Sequence, residues 1–223
     1  MRKSYEKIKE SITDNLNDYK RLHNFLSHEQ KNNLAIMRTQ AERRNDYELL
    51  KQIDDLTDGI NDILTISESQ SDQKLYPIDL SLVCAEIVDI YRKIYPKIIF
   101  NFDKTASYDI LAKKRWIYRA LSNLLDNTIK YGEDKEIELT IESKKGSVIV
   151  MVKDNGIGID KTKLSTIFDY RYRVNELNKD GFGIGLSLVS HVTDLCGGFA
   201  SVESTAGKGS TFYLSFPQCV TLT

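Results

Sequence analysis

The sequence predicts an α+β protein in two parts: a helical hairpin, then a sandwich of one sheet with helices on one face. Three observations lead there. The region up to Ser71 has no proline, a single glycine and apolar residues at helical spacing. From Pro77 onward, short β-type runs and helical runs follow one another without strict alternation. Between them, Ser67 to Lys74 (SESQSDQK) is polar and reads as a linker. The expected division is 1–75 and 76–223.

In the first part, Ile8, Ile12, Leu16, Tyr19, Leu22, Leu26, Ile36 and Met37 form one apolar pattern. Leu49, Leu50, Ile53, Leu56, Ile60, Ile63 and Leu64 form a second. Each spacing predicts a long amphipathic helix. The polar pair Asn45-Asp46 marks the break between them. A hairpin of two such helices leaves half of its apolar stripe in water. Pairing with a second copy into a dimeric four-helix bundle would cover that stripe.

In the second part a helix is expected from Leu80 to Tyr95, with Asp79 as its N-cap. Strands are expected at Ile98–Phe102 and Tyr108–Leu111, then a helix from Lys114 to Lys130. Glu136–Glu142 alternates Ile137, Leu139 and Ile141, as a half-buried strand does. Val148–Val152 is a continuous apolar strand, followed by a glycine-rich polar stretch from Asp154 to Gly185. A helix to Leu195 and strands at Phe199–Glu203 and Thr211–Phe216 complete the chain.

Composition narrows the function. Hydrophobic residues make up 41% and charged residues 28%, enough for a true core. The net charge of -1 offers no surface for nucleic acid. No apolar run reaches the ~18 residues of a membrane span, and Met1 to Glu10 is charged and helix-prone rather than a signal peptide. Cys84, Cys196 and Cys219 are far apart, with neither metal nor disulfide spacing. They read as thiols in a reducing cytoplasm.

Several motifs carry chemistry. Asn123, Asn127 and Lys130 fall at i, i+4 and i+7, on one face of the helix ending NLLDNTIKY. An amide oxygen is a hard neutral ligand suited to Mg²⁺, and a lysine can meet phosphate charge. Asp154-Asn155-Gly156-Ile157-Gly158 follows a strand, where a buried carboxylate can accept from an amino group and glycines admit a ligand. Alone it reads as an ordinary turn. Gly181-Phe182-Gly183-Ile184-Gly185-Leu186 opens a helix whose first N–H groups suit phosphate. It is neither a dinucleotide fingerprint nor a P-loop. Gly207, Gly209 and Ser210 mark a turn between the last two strands.

In this order the motifs, with the tails LSLVSHVTDLCGG and ASVESTAGKGSTFYLSFP, resemble the ATP-binding domain shared by histidine kinases, DNA gyrase, Hsp90 and MutL. The likeness runs from about Pro77 to Pro217. It implies a two-layer α/β sandwich holding Mg-ATP under a lid at about Asp160 to Asp180. It implies Asn127 as the Mg²⁺ ligand, with Asn123 and Lys130 toward the phosphates. Tyr131 would pack near the adenine and Asp154 would read its amino group. Gly156, Gly158, Gly181, Gly183, Gly185 and Leu186 would shape the walls around the nucleotide. Gyrase-like members carry a glutamate where this chain has Asn123, and an amide cannot take a proton from water. The asparagine is the histidine kinase choice.

Phe25-Leu26-Ser27-His28-Glu29-Gln30-Lys31-Asn32 resembles the histidine box of that family. At 100° per residue, His28 lies about 200° from Leu26 and about 240° from Leu22, away from the apolar stripe. The resemblance makes His28 the phosphoryl acceptor, Glu29 its base and Asn32 its neighbour one turn on. It also implies a homodimer and a response regulator receiver domain as partner. Two departures stand out. Asn33 takes a place where proline is common, and Arg171 replaces the second phenylalanine of Ile167-Phe168-Asp169-Tyr170-Arg171-Tyr172-Arg173. Arg173 matches the arginine that meets the γ-phosphate. Two other readings are a non-catalytic phosphotransfer or scaffold dimer with a degenerate ATP domain, and an ATPase-type dimer. Nucleotide binding tests the first, and steady turnover without phosphoenzyme the second.

Overall fold

The computed structural model describes residues 30, 32–66, 74–169 and 185–219. The chain divides into two compact units, Met1–Leu64 and Thr65–Thr223.

In the first unit, residues 32–44 form helix α1 and Tyr47–Ile66 form α2. The break lies at Asn45-Asp46 as expected, and its chemistry is a pair of caps. Asn45 adopts φ 53°, the left-handed conformation that ends a helix. Its N–H donates to the Glu42 carbonyl and that of Asp46 to the Ala41 carbonyl, which satisfies the last carbonyls of α1. The Asp46 carboxylate then accepts the Leu49 N–H at 3.1 Å and starts α2. Ala41 and Ile53 are buried, and Arg38 donates to Asp54 across the hairpin at 2.7 Å. Ile36, Met37, Leu49 and Leu56 remain exposed.

The second unit has the order β1 (Tyr76–Asp79), α3 (Leu80–Arg92), β2 (Ile98–Phe102), β3 (Asp109–Ala112), α4 (Lys114–Tyr131), β4 (Ile137–Lys144), β5 (Ser147–Asp154), α5 (Gly185–Leu195), β6 (Phe199–Thr205) and β7 (Gly209–Pro217). Asp79 caps α3 as expected, accepting the Ser81 N–H at 2.8 Å. The main sheet runs β2-β4-β5-β7-β6. Only β2 and β4 pair in parallel; the other neighbours are antiparallel.

Register explains the two layers. Leu139 faces Val152, and Val152 faces Phe212; Ile141 faces Val150, and Val150 faces Leu214. All six are buried on one face of the sheet, while their neighbours Thr140, Met151 and Tyr213 stay half-exposed on the other. On the buried face, α4 contributes Trp116, Ile117, Ala120, Leu121, Leu124, Leu125 and Thr128, and α5 contributes Leu188, Val189 and Val192. Each aliphatic side chain so buried contributes about 1.5–3 kcal/mol. Packing this stripe inward leaves Asn123 and Asn127 only half-buried.

The expectation of a single sheet is corrected. Tyr76–Asp79 is a strand, paired antiparallel with β3 in a second, two-stranded sheet. Pro77 disguises it in sequence, yet a two-stranded ribbon has an outer edge where a missing N–H is harmless.

Candidate functional site

The site is built where the C-terminal end of α4 meets the C-terminal end of β5. On α4, the Asn123 amide donates to the Arg119 carbonyl at 3.0 Å, which leaves its oxygen turned toward the start of α5. A Cβ on Gly185 would overlap that oxygen, so as the structure stands the helix start packs directly on the Asn123 amide. One turn on, Asn127 is half-buried within α4, and its side-chain amide makes no hydrogen bond among the described residues. Lys130 is exposed, with its Nζ 5.5 Å from the centre of the Tyr131 ring.

Asp154 ends β5 and is 5% exposed. Its Oδ1 accepts the Gly156 N–H at 2.9 Å and the Ser210 N–H at 3.3 Å. Among the described residues Oδ2 accepts no hydrogen bond, so its lone pairs stay available to a donor. Burial pushes the carboxyl above its ordinary pKa, and the two N–H donors oppose that only in part.

The segment after Asp154 is pressed against α4. The Ile157 N–H donates to the Tyr131 carbonyl at 3.1 Å. A Cβ on Gly156 would overlap that same carbonyl oxygen and come within 2.7 Å of the Gly132 Cα. Gly158 has φ +65°, the left-handed region that suits glycine.

The structure thus joins Asn123 to Gly185, Tyr131 to Gly156 and Ile157, and Asp154 to Gly156. Leu186 lies half-buried in the first turn of α5. Asn32 is exposed on α1 in the other unit. His28, Glu29, Arg173, Gly181 and Gly183 lie outside the described residues. Ser210 joins the site although its sequence context marks only a turn. Its signal is the register, because Ser210 pairs with Asp154 across β5 and β7.

Residues 112–219 match the family of histidine kinase-, DNA gyrase B-, and HSP90-like ATPases. The sensor histidine kinase AtsR of Burkholderia thailandensis is 31% identical over 176 residues, which cover 74% of this chain and 29% of that protein. Residues 112–219 form a domain of that ATPase family, and the longer alignment makes the chain similar to sensor histidine kinases. A second relative, the sensor histidine kinase GraS of Staphylococcus haemolyticus, is 33% identical over 121 residues, 53% of this chain and 35% of the relative. The chain therefore spans about a third of the length of these relatives.

Solved structures agree on the fold. Full-length ShkA, solved in complex with AMPPNP, matches with a TM-score of 0.71 at 23% identity, over 90% of this chain and 47% of that one. The histidine kinase AdeS of Acinetobacter baumannii matches with a TM-score of 0.57 at 19% identity, over 86% of this chain and 98% of that one.

Proposed function

We propose that this chain is an ATP-dependent protein histidine kinase that autophosphorylates His28 and passes the phosphoryl group to an aspartate of a response regulator receiver domain. The observation that carries the reading is the buried Asp154 carboxylate, with Oδ1 held by two main-chain N–H groups beside the end of α4. Oδ2 would accept from the amino group of adenine, with Tyr131 beside the ring. The half-buried, unpartnered amide of Asn127 fits a hard cation. Among the described residues no cluster of three His, Cys, Asp or Glu side chains offers a metal site of its own. Asn127 would therefore share a Mg²⁺ with phosphate oxygens. When bound, Mg²⁺ offsets charge on the transferring group.

The residues divide the work. Asn123 and Lys130 bind on the phosphate side, with Gly181, Gly183, Gly185 and Leu186 as wall. Arg173 offsets charge at the γ-phosphoryl group. The His28 imidazole nitrogen forms the N–P bond as the bond to the ADP oxygen breaks. Glu29 takes the imidazole proton. Asn123, standing where hydrolytic relatives carry glutamate, supplies no base for water.

The helical hairpin works as a homodimer, which would cover exposed Ile36, Met37 and Leu56 in a four-helix bundle. The receiver domain docks near His28, and Asn32 serves a phosphatase step on that partner. The reaction is placed in the cytoplasm, where ATP and free thiols such as Cys84 and Cys196 persist. Among the described residues no helix is long and apolar enough to cross a membrane.

Incubation with γ-labelled ATP tests the reading. The label is expected to be lost in acid, to survive base and to vanish in His28→Ala. An acid-stable label, or one that persists in the variant, overturns the assignment.

A further inference from the structure

The turn between β6 and β7 is stitched to the segment that follows Asp154. The Gly207 N–H donates to the Ile157 carbonyl at 2.7 Å, and Gly158 packs on the main chain of Thr205. One side chain joins this contact. The Oγ of Ser204, near the end of β6, accepts the Ile159 N–H at 2.8 Å. It donates to the Gly209 carbonyl, also at 2.8 Å, and lies 3.0 Å from the Ser210 hydroxyl. A hydroxyl has one proton and two lone pairs, and this arrangement uses the proton on Gly209 and the lone pairs on Ile159 and Ser210.

Each partner leads back to the site. Ile159 closes the segment that begins at Asp154. Ser210 sends its own N–H to the Asp154 carboxylate. Gly209 packs against the Asp154 main chain, where a Cβ would come within 2.8 Å of the Asn155 Cα. The opposite side of the segment is fixed to the Tyr131 carbonyl through Ile157. The loop is therefore held between α4 and the hairpin, and Ser204 is the one side chain among the described residues whose hydrogen bonds tie the hairpin to the loop beyond Gly156.

We infer that Ser204 is a positioning residue of the nucleotide site: its hydroxyl holds loop 155–159 against the β6–β7 turn and so sets where Asp154 and Gly156 meet the adenine. The inference rests on the proposed reading of that loop as the adenine side of an ATP site. Ser204 acts through the loop rather than on the reacting atoms. Removing the hydroxyl leaves the Ile159 N–H and the Gly209 carbonyl each short of a partner in part-buried surroundings.

Calorimetric titration of the full chain with Mg-AMPPNP, paired with amide hydrogen exchange, tests it. Ser204→Ala is expected to weaken binding by about five- to tenfold, in line with the loss of one or two ordinary hydrogen bonds, and to speed exchange at Ile159. Ser204→Thr keeps a hydroxyl in a β-branched side chain that strands accept, and is expected to bind within about twofold of the parent. In kinase assays the Ala variant should raise KM for ATP and keep kcat at saturating ATP. If Ser204→Ala does not fold, Ser204→Cys keeps the volume while weakening both bonds, and it takes the same measurements. A parent chain that binds while the hydroxyl-free variant binds equally, with unchanged exchange at Ile159, overturns this inference alone. A parent chain that binds no nucleotide overturns the proposed function, and this inference with it.

Discussion

Asp154 and Ser210 face each other across the β5–β7 pairing, and the Ser210 main-chain N–H donates to the Asp154 carboxylate over 3.3 Å. That bond and the one from Gly156 fix the carboxylate at a buried strand end. Burial raises its pKa above the ordinary 3.8. The folded chain therefore holds this proton more tightly than the unfolded chain does. At pH below 3.8 both states are protonated and the group has no effect on stability. As pH rises from 3.8 through the raised value, the fold loses stability, and the deficit persists at neutral pH.

Asp154→Asn removes that charge and keeps an oxygen for both N–H donors. At pH 7 the variant is expected to melt at a higher temperature than the parent, with the gap closing toward pH 3.8. It should also lose nucleotide affinity, because its amide N–H₂ would oppose the adenine amino group. Melting curves across a pH series, with calorimetry at pH 7, check both. A variant less stable than the parent at neutral pH would show that burial of this charge is not what strains the site.

Gly185→Ala separates local preference from packing. Alanine favours a helix by about 1 kcal/mol over glycine, so propensity alone predicts stabilisation. The added Cβ meets the Asn123 amide instead, so either the amide or the start of α5 must move. Lower stability and weaker nucleotide binding are expected, with Asn123→Ala restoring stability in the double variant. Thermal melts of the two single variants and the double variant measure the coupling. Additive effects would refute the contact.

Much of this arrangement was readable in the sequence, and the exceptions share a cause. Strand β2 and the ends of α4 follow from period and composition, and Asp79 and Asn45-Asp46 carry their caps within five residues of sequence. The face that joins Asn123 and Asn127 follows from helical geometry. Strand β1 was hidden because its evidence is β3, far along the chain, while Pro77 argued locally against a strand. Ser204 and Ser210 were illegible for the same reason. Both belong to a hairpin turn in sequence, and only the register of β6, β7 and β5 sets them beside Asp154.

Asn127→Ala tests the cation. Losing even an outer-shell partner of a metal costs about 10–100-fold in affinity, so losing a direct ligand should cost at least about tenfold. Calorimetry with AMPPNP is expected to show that Mg²⁺ tightens binding to the parent and tightens binding to the variant much less. Affinity without Mg²⁺ should stay close to the parent value. An equal Mg²⁺ effect in both proteins would remove Asn127 from the ligand set.

Asn32 should separate two opposing activities. It is exposed on α1, and in sequence it stands four residues after His28 and three after Glu29. A receiver domain docked over this patch would bring its phospho-aspartate to Asn32. Hydrolysis there needs a water in line with phosphorus, and a side-chain amide can hold that water with one donor and one acceptor. No strong base is required, because an aspartyl phosphate is already a reactive mixed anhydride. Positioning alone can supply several kcal/mol, on the order of a few powers of ten in rate. In the proposed kinase step Glu29 would be the nearer base. Asn32→Ala is therefore expected to keep autophosphorylation within about tenfold and lose most phosphatase activity, while Glu29→Ala loses mainly the kinase step. The decay of a separately phosphorylated receiver domain, followed with each variant, makes the comparison. Decay at the parent rate with Asn32→Ala would show that Asn32 is an ordinary solvated helix residue.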